Sequence, residues 1–305
     1  MTRAILECAP NVSEGRDRRL VEQFAGTVRS VDGVRLADVH ADPDHHRSVL
    51  TFLGTPSEVE AAALALAATV LATVDMSTHA GVHPRIGALD VLPFVPLRGM
   101  TMADAVAVAH RVGRRLAERH GLPVYFYGEA AERPERTRLA EIRRGEYEGL
   151  GQQIADPAWA PDAGPARFNP RAGATAVGAR PILVAFNVWL DTNDLEVARA
   201  IAREARESSG GLPGVQAMGL PLASRGVVQV SLNLLDYRRS SLARVFDLVQ
   251  SGAARRGVAV KRSELVGLAP REAFEGRPPE SLGVTDFTPA KLLDSYLAED
   301  PLAPA

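Results

Sequence analysis

The sequence predicts an α/β (α+β) fold built from two similar βαββαβ, ferredoxin-like subdomains in tandem. Three observations predict it. Apolar strand-like runs and helical stretches follow one another in the order β-α-β-β-α-β from the N-terminus, and the same order returns from residue 177. The 305 residues are 46% hydrophobic and 24% charged, a globular composition with enough chain for two packed units. Helices then cover one face of each sheet and the other faces can meet, so the sheets are expected to face each other with helices outside. The N-terminal subdomain is expected over residues 1–176 and the C-terminal one over 177–305.

The elements justify themselves in order. ILECAP is a short apolar run ending at Pro10, a strand. DRRLVEQFAGTVRSV spaces Leu20, Val21, Phe24, Val28 and Val31 at helical intervals. VRLADVHADP and HRSVLTFLG are strands joined by a polar turn. Pro56-Ser57-Glu58 starts a helix that runs through AAALALAATVLATV, which is too short and too alanine-rich for a membrane span and reads as a core-facing helix. GALDVLPFVPL is a strand, MADAVAVAHRVGRRLAERHG a helix closed by Gly121 and Pro123, and PVYFYG a strand. Residues 129–176 are irregular and rich in Glu, Arg, Gly and Pro: a linker, or a loop whose length suits a functional role. VGARPILVAFNVWL reads as one strand, LEVARAIAREARESSGG as a helix, GVQAMGLPLA and GVVQVSLNLLDY as paired strands, SLARVFDLVQSGAARRG as a helix and VAVKRSELVGLAP as the last strand. The tail after residue 276, with its proline pairs, is expected to be partly ordered.

The bulk numbers exclude several classes. A net charge of −2, from 35 basic and 37 acidic residues, lacks the broad basic excess of a nucleic-acid binder. The single cysteine, Cys8, permits no internal disulfide and no cysteine zinc cage, and suits a reducing, cytoplasmic setting. MTRAILECAP lacks the apolar stretch of a signal peptide. Lys261 and Lys291 are the only lysines, so Schiff-base chemistry has few candidates, whereas arginines for binding carboxylates are plentiful.

All seven histidines lie within the first 120 residues. His110 and His120, on one helix, read as surface residues. His40, His45 and His46 surround the turn between two strands, while His79 and His83 follow the alanine-rich helix. The spacing of His79 and His83 would suit zinc on a helix, but Pro84 pushes His83 out of helical geometry and no His-Glu-x-x-His pattern is present. His83 is then a loop imidazole able to serve as general acid and base near neutral pH, with Arg85 placed to hold an anion in its fork. His79 by itself reads as a helix-end histidine favoured by the dipole. CAPNVSEGRD ends a strand and starts a helix. Its Ser13, Glu14 and Asp17 make a capping turn, or its free N–H groups together with Asn11 and Arg16 hold a carboxylate.

ECAPNVSEGRD, HHRSVLTFLG, DMSTHAGVHPRIGALDVLPFVP, PVYFYGEAA, RRGEYEGL, WAPDAGP, AGATAVGARPILVAFNVWLDT, VQVSLNLLDY and SELVGLAP stand in one order and together resemble the glutamate formimidoyltransferases. The resemblance spans residue 6 to about 270. It implies two similar α/β subdomains with facing sheets, a homodimer, and transfer of the formimino group from N-formimino-L-glutamate to N5 of tetrahydrofolate in histidine degradation. Tetrahydrofolate enters as co-substrate and no metal is expected. His83 falls on the family's catalytic histidine. The folate-binding segment falls on Gly164, Pro165, Ala166, Arg167, Phe168, Asn169, Pro170, Arg171, Ala172 and Gly173. Asn11, Glu14, Arg16, His46, Arg47, His79 and Arg85 are expected to bind substrate. The family pattern HKGEHPRMG carries Lys and Glu where this chain has Ala80 and Val82, and an Asn where it has His46. A related folate-dependent transferase with an N-formyl amino acid donor is therefore the alternative, and a metal hydrolase using the histidine cluster a more distant one.

Overall fold

The structure is a computed structural model and describes residues 3–297. The chain divides into two compact units, Met1–Pro181 and Ile182–Ala305.

In the first unit the elements are β1 (Leu6–Cys8), β2 (Asn11–Val12), α1 (Arg18–Arg29), β3 (Arg35–Asp42), β4 (Arg47–Gly54), α2 (Pro56–Thr73), β5 (Leu89–Pro96), α3 (Met102–His120), β6 (Val124–Gly128), α4 (Leu139–Ile142), α5 (Glu146–Gln153) and β7 (Thr175–Ala179). Each long helix starts where a side chain satisfies the free N–H groups of its first turn. Asp17 accepts from Arg19 and Leu20 at the head of α1, and Thr101 accepts from the Asp104 N–H at the head of α3. At α2 the Glu58 carboxylate reaches back to the Thr55 N–H (2.7 Å), with Pro56 in the first turn. α3 stops at Gly121, whose φ of 57° most side chains would resist.

β4 is buried from Ser48 to Gly54, which makes it an inner strand, flanked by β3 on one side and by β1 and β2 on the other. The antiparallel core of β3, β4, the β1/β2 strand and β5 has ferredoxin-like order, with β7 and then β6 added beyond β5 in parallel. α1, α2 and α3 cover one face, burying Leu6, Leu50, Phe52, Leu92, Phe94, Phe126 and Val177 against Phe24, Leu66 and Val112. α2 contributes Val59, Ala62, Ala63, Leu66, Ala67 and Val70 to that core, as its alanine-rich sequence suggested; it is also the one described helix long and apolar enough to cross a membrane.

The second unit comprises β8 (Val184–Leu190), α6 (Leu195–Ala205), β9 (Val215–Leu222), β10 (Val227–Leu234), α7 (Leu242–Ala254) and β11 (Val260–Val266). Its sheet is antiparallel throughout, in the order β11-β8-β10-β9, the ferredoxin-like pattern. α6 and α7 close one face over Phe186, Val188, Val230 and Leu232.

Three expectations need correction. The single strand read through VGARPILVAFNVWL is two strands, because Pro181 supplies no N–H to a ladder; β7 stays with the first sheet and β8 opens the second. Residues 129–174 are not structureless. α4 and α5 lie on the face opposite α1–α3, where Ile142 and Leu150 pack with Val91, Tyr125, Tyr127 and Ala176. His110 is half-buried rather than a surface residue: its Nε2 donates to the Ala130 carbonyl (2.8 Å) and its ring meets Phe126 edge-on. Much of the tail past residue 276 forms short 3-10 turns up to Tyr296, and residues 298–305 lie outside the described residues.

Candidate active site

Three loops of the first unit meet at one end of its sheet: residues 13–17 after β2, the β3–β4 turn, and residues 75–88 between α2 and β5. Close backbone contact holds them together. A Cβ on Gly15 would collide with the carbonyl of Asp42 and the backbone of Arg47, and a Cβ on Gly81 with the carbonyl of His45. Ser13 donates from Oγ to the Gly87 carbonyl (2.7 Å), which ties the first loop to the third.

His83 sits in this junction at 9% exposure. Its Nδ1 donates to the Pro84 carbonyl at 2.9 Å, which leaves Nε2 as the ring's acceptor. The His45 ring lies beside it, with centroids 5.5 Å apart. Burial, reinforced by Arg47, Arg143 and His45, holds its proton affinity well below the ordinary imidazole range. A neutral imidazole with one free lone pair is a base, and its conjugate acid, disfavoured by burial, surrenders the proton readily.

His79 does not cap α2. That helix ends at Val74, a 3-10 turn follows over Met76–Thr78, and His79 is extended and buried. Its Nε2 donates to the His46 carbonyl (2.8 Å) and its Nδ1 accepts from Arg85 Nε (3.3 Å). Burial pushes it down to about 4. The His46 ring stacks on it, with centroids 4.1 Å apart and planes 11° apart. His46 also reaches the Ala80 carbonyl through Nδ1 (3.1 Å) and Glu14 through Nε2 (3.3 Å). Burial opposes ionisation of Glu14, but the His46 bond and the N–H groups of Asp17 and Arg16 outweigh it and bring the carboxyl down to about 2.

Of the other expected binding residues, Arg47 donates to Asn11 Oδ1 (2.8 Å), and Asn11 donates onward to the Ala9 carbonyl (3.1 Å). Arg16 is exposed and donates from Nε to the Pro43 carbonyl (2.9 Å). Arg85 is 5% exposed and forks onto Glu148, at 2.7 and 2.5 Å, with Glu146 at 3.1 Å. A substrate carboxylate would have to compete with those two glutamates. Beside this fork lies a cavity of about 400 Å³ lined by Ala80, Gly81, Arg85, Gly145, Glu146 and Glu148.

The Gly164–Gly173 segment borders the same loops. Gly173 bridges Gly87, the Arg171 carbonyl accepts from the Met76 N–H (2.9 Å), and Arg171 donates to the Ala72 carbonyl (3.0 Å). Asn169 Oδ1 braces the turn by accepting from Arg171 and Ala172. Gly164, Ala166, Arg167, Pro170 and Arg171 are exposed, Pro165, Phe168 and Asn169 half-buried, and Ala172 and Gly173 buried. Phe168 lies 5.5 Å from the Tyr147 ring, and Tyr147 in turn lies under Arg85 at 6.0 Å. Arg85, Tyr147 and Phe168 thus form a continuous wall.

Residues that sequence reasoning left out of the site are His45, Arg143, Asp90, Tyr147 and Glu148. Asp90 is fully buried, accepts from the Ile86 N–H (2.8 Å) and pairs with Arg143. RRGEYEGL, which holds Arg143, Tyr147 and Glu148, carried the signal only as a block in order, since nothing in its local pattern tells which loop it will meet. Among the described residues no group of three or more His, Cys, Asp or Glu side chains is placed to hold a metal ion.

Residues 5–180 match the formiminotransferase domain, N-terminal subdomain, and residues 185–276 match the formiminotransferase domain. A glutamate formimidoyltransferase of Streptococcus pyogenes serotype M1 is 40% identical over 294 residues, spanning 96% of this chain and 98% of its own length. One from Thermoplasma acidophilum is 41% identical over 293 residues, spanning 95% and 96%. The formimidoyltransferase-cyclodeaminase of Mus musculus is 42% identical over 276 residues, which cover 88% of this chain and 51% of the mouse protein. On the strength of both domain matches and of relatives aligned nearly end to end, this chain is an enzyme of the formiminotransferase family.

Proposed function

We propose that the chain transfers the formimino group of N-formimino-L-glutamate to N5 of tetrahydrofolate, a step of histidine degradation, with His83 as the proton shuttle. N5 attacks the amidinium carbon, so that one C–N bond forms while the bond to the glutamate nitrogen breaks. The attacking nitrogen loses a proton and the departing nitrogen gains one. His83 Nε2 takes the first and returns it to the second, leaving no net charge on the enzyme. The observation that carries this reading is the buried imidazole whose Nδ1 is committed to the Pro84 carbonyl, so that a single lone pair remains for chemistry.

In this reading Asn11, Glu14, Arg16, His46, Arg47, His79 and Arg85 surround the donor, and residues 164–173 hold the folate. The aromatic pair of Tyr147 and Phe168 supports the folate assignment, since it offers the kind of flat surface on which a heteroaromatic ring stacks. Tetrahydrofolate is a co-substrate, no metal takes part, and the working form is a cytoplasmic homodimer.

The test is glutamate release from N-formimino-L-glutamate by the purified protein with and without tetrahydrofolate. Release only in its presence is expected, and replacing His83 by Ala should lower kcat by roughly 10²–10⁴-fold. Turnover that ignores folate, or a His83→Ala protein as active as the parent, would overturn the reading. A second reading draws on the uncharged loop tip, where Ala80 and a Val82 that is 40% exposed stand beside His83: an N-formyl donor, which N-formylglutamate in the same assay would reveal.

A further inference from the structure

In the transfer reading the nitrogen that departs is the α-nitrogen of glutamate, and the α-carboxylate hangs one carbon away from it. Whatever holds that carboxylate must stand beside the group that returns a proton to the nitrogen. Several arginines meet the loops of the site. Arg85 is forked onto Glu148 and also meets Glu146, Arg47 is directed to Asn11 Oδ1, and Arg16 lies exposed against the Pro43 carbonyl. Arg143 is held differently. It ends α4, and its Nη2 pairs with Asp90 of β5. The other oxygen of that fully buried carboxylate accepts the Ile86 N–H (2.8 Å), in the loop that carries His83. The two segments are fastened a second time where the Tyr147 N–H donates to the Arg85 carbonyl (2.8 Å). Because Asp90 divides its oxygens between two donors, it grips the guanidinium at one point only. Arg143 Nε is shielded from solvent and meets no acceptor among the described residues. A shielded N–H without an acceptor is costly, and an anion seated on the guanidinium offsets that cost. The side chain as a whole is 13% exposed, so the guanidinium is not sealed off.

We propose that Arg143, tied to the His83 loop through Asp90, is the clamp for the α-carboxylate of the donor and so makes the enzyme specific for derivatives of α-amino acids. This rests on the transfer reading above and adds a residue to it. The charge around His83 agrees with the assignment. Arg143 is one of the cations that, after burial, keep a proton off the His83 ring. A carboxylate seated on Arg143 offsets that positive charge, so His83 accepts a proton more readily once the donor is bound, which is the stage at which the transfer needs it to. The clamp moves no proton itself, and the balance of the transfer is unchanged.

The experiment compares donors on the parent and on Arg143→Gln. The donors are N-formimino-L-glutamate, the N-formimino derivative of γ-aminobutyrate, which lacks the α-carboxylate, and that of L-α-aminobutyrate, which lacks the γ-carboxylate. The variant should lose roughly 10–100-fold in kcat/KM on the two donors that carry an α-carboxylate and less than about threefold on the one that does not, with KM for tetrahydrofolate nearly unchanged. An equal loss on all three donors would reduce Arg143 to a structural partner of Asp90, and a loss confined to the donors with a γ-carboxylate would place the clamp at the wrong end of the molecule; either overturns the proposal. The ratio between donors is taken on one preparation, so partial unfolding of the variant cancels. Arg143→Lys, which keeps a cation for the buried Asp90, serves if the Gln variant does not fold, and the same pattern with a smaller loss is expected of it. Were the parent unable to transfer the formimino group, the reaction assignment would fall, while calorimetry with L-glutamate would still judge the clamp: tighter binding to the parent than to Arg143→Lys supports it, and equal or absent binding overturns it.

Discussion

At the scale of single residues, the site's chemistry depends on what each polar atom already holds. His83 commits Nδ1 to a carbonyl from its own loop, and His79 commits both ring nitrogens, one to the His46 carbonyl and one to Arg85. Of the two imidazoles in the His-x-x-x-His pattern, only His83 retains an uncommitted lone pair among these bonds. Arg85 shows the same logic for a cation. Its fork onto Glu148 is bidentate, which a lysine cannot reproduce. Replacing Arg85 by Lys should therefore lower unfolding free energy by about 1–2 kcal/mol, read as a lower urea midpoint at unchanged slope. An unchanged midpoint would mean that the fork contributes nothing beyond a surface ion pair.

At the scale of elements, the site exists because three connections are forced into contact. Gly81 is one of the points where they touch most closely. Replacing it by Ala places a methyl against the His45 carbonyl, so the 75–88 loop must shift. The expected result is a loss of about 1–3 kcal/mol in stability, typical of overpacking, together with a fall in transfer activity larger than that of Gly26→Ala in α1, where a methyl meets nothing within 4 Å. Equal effects at the two positions would contradict the close-contact account. Helix and strand positions were legible in the sequence because capping residues and apolar spacing act over four or five residues. Pro56-Ser57-Glu58 marks the start of α2, and the spacing of Leu20, Val21, Phe24 and Val28 marks α1. The segment from 129 to 174 was not legible: α4 and α5 are short, and their stability comes from Ile142 and Leu150 packing on a sheet face that local sequence does not reveal.

At the scale of the whole molecule, the buried imidazoles make the fold sensitive to acid. His45 and His79 are brought down to about 4, and His83 lies below the ordinary 6.5. In that range the unfolded chain binds protons that the folded one refuses, so stability falls as pH drops from 6.5 toward about 4. Glu14, at about 2 against 4.5, adds a later loss, since its contribution is present above 4.5 and disappears as pH falls through about 2. Glu7 acts in the opposite sense. Burial raises its carboxyl, so the folded state gains on the unfolded one as pH falls through that raised value. Urea unfolding followed between pH 7.5 and 4 should show the decline, and a His45→Gln, His83→Gln double variant should show a flatter one. A profile level across that window would refute the assignment of neutral buried rings.

The sequence by itself determined the two-unit α/β plan, from the order of its elements, and the family, from a series of blocks standing in one order. The plan follows from spacing, caps and composition, which are properties of neighbours along the chain, and the family from the resemblance of those blocks. Only the tertiary structure decided that His45 rather than His46 or His79 lies against His83, that Arg85 is engaged by Glu148, and that β7 joins the first sheet. Each depends on groups far apart in sequence, brought together by close backbone packing at Gly15 and Gly81 and by burial that no local pattern encodes.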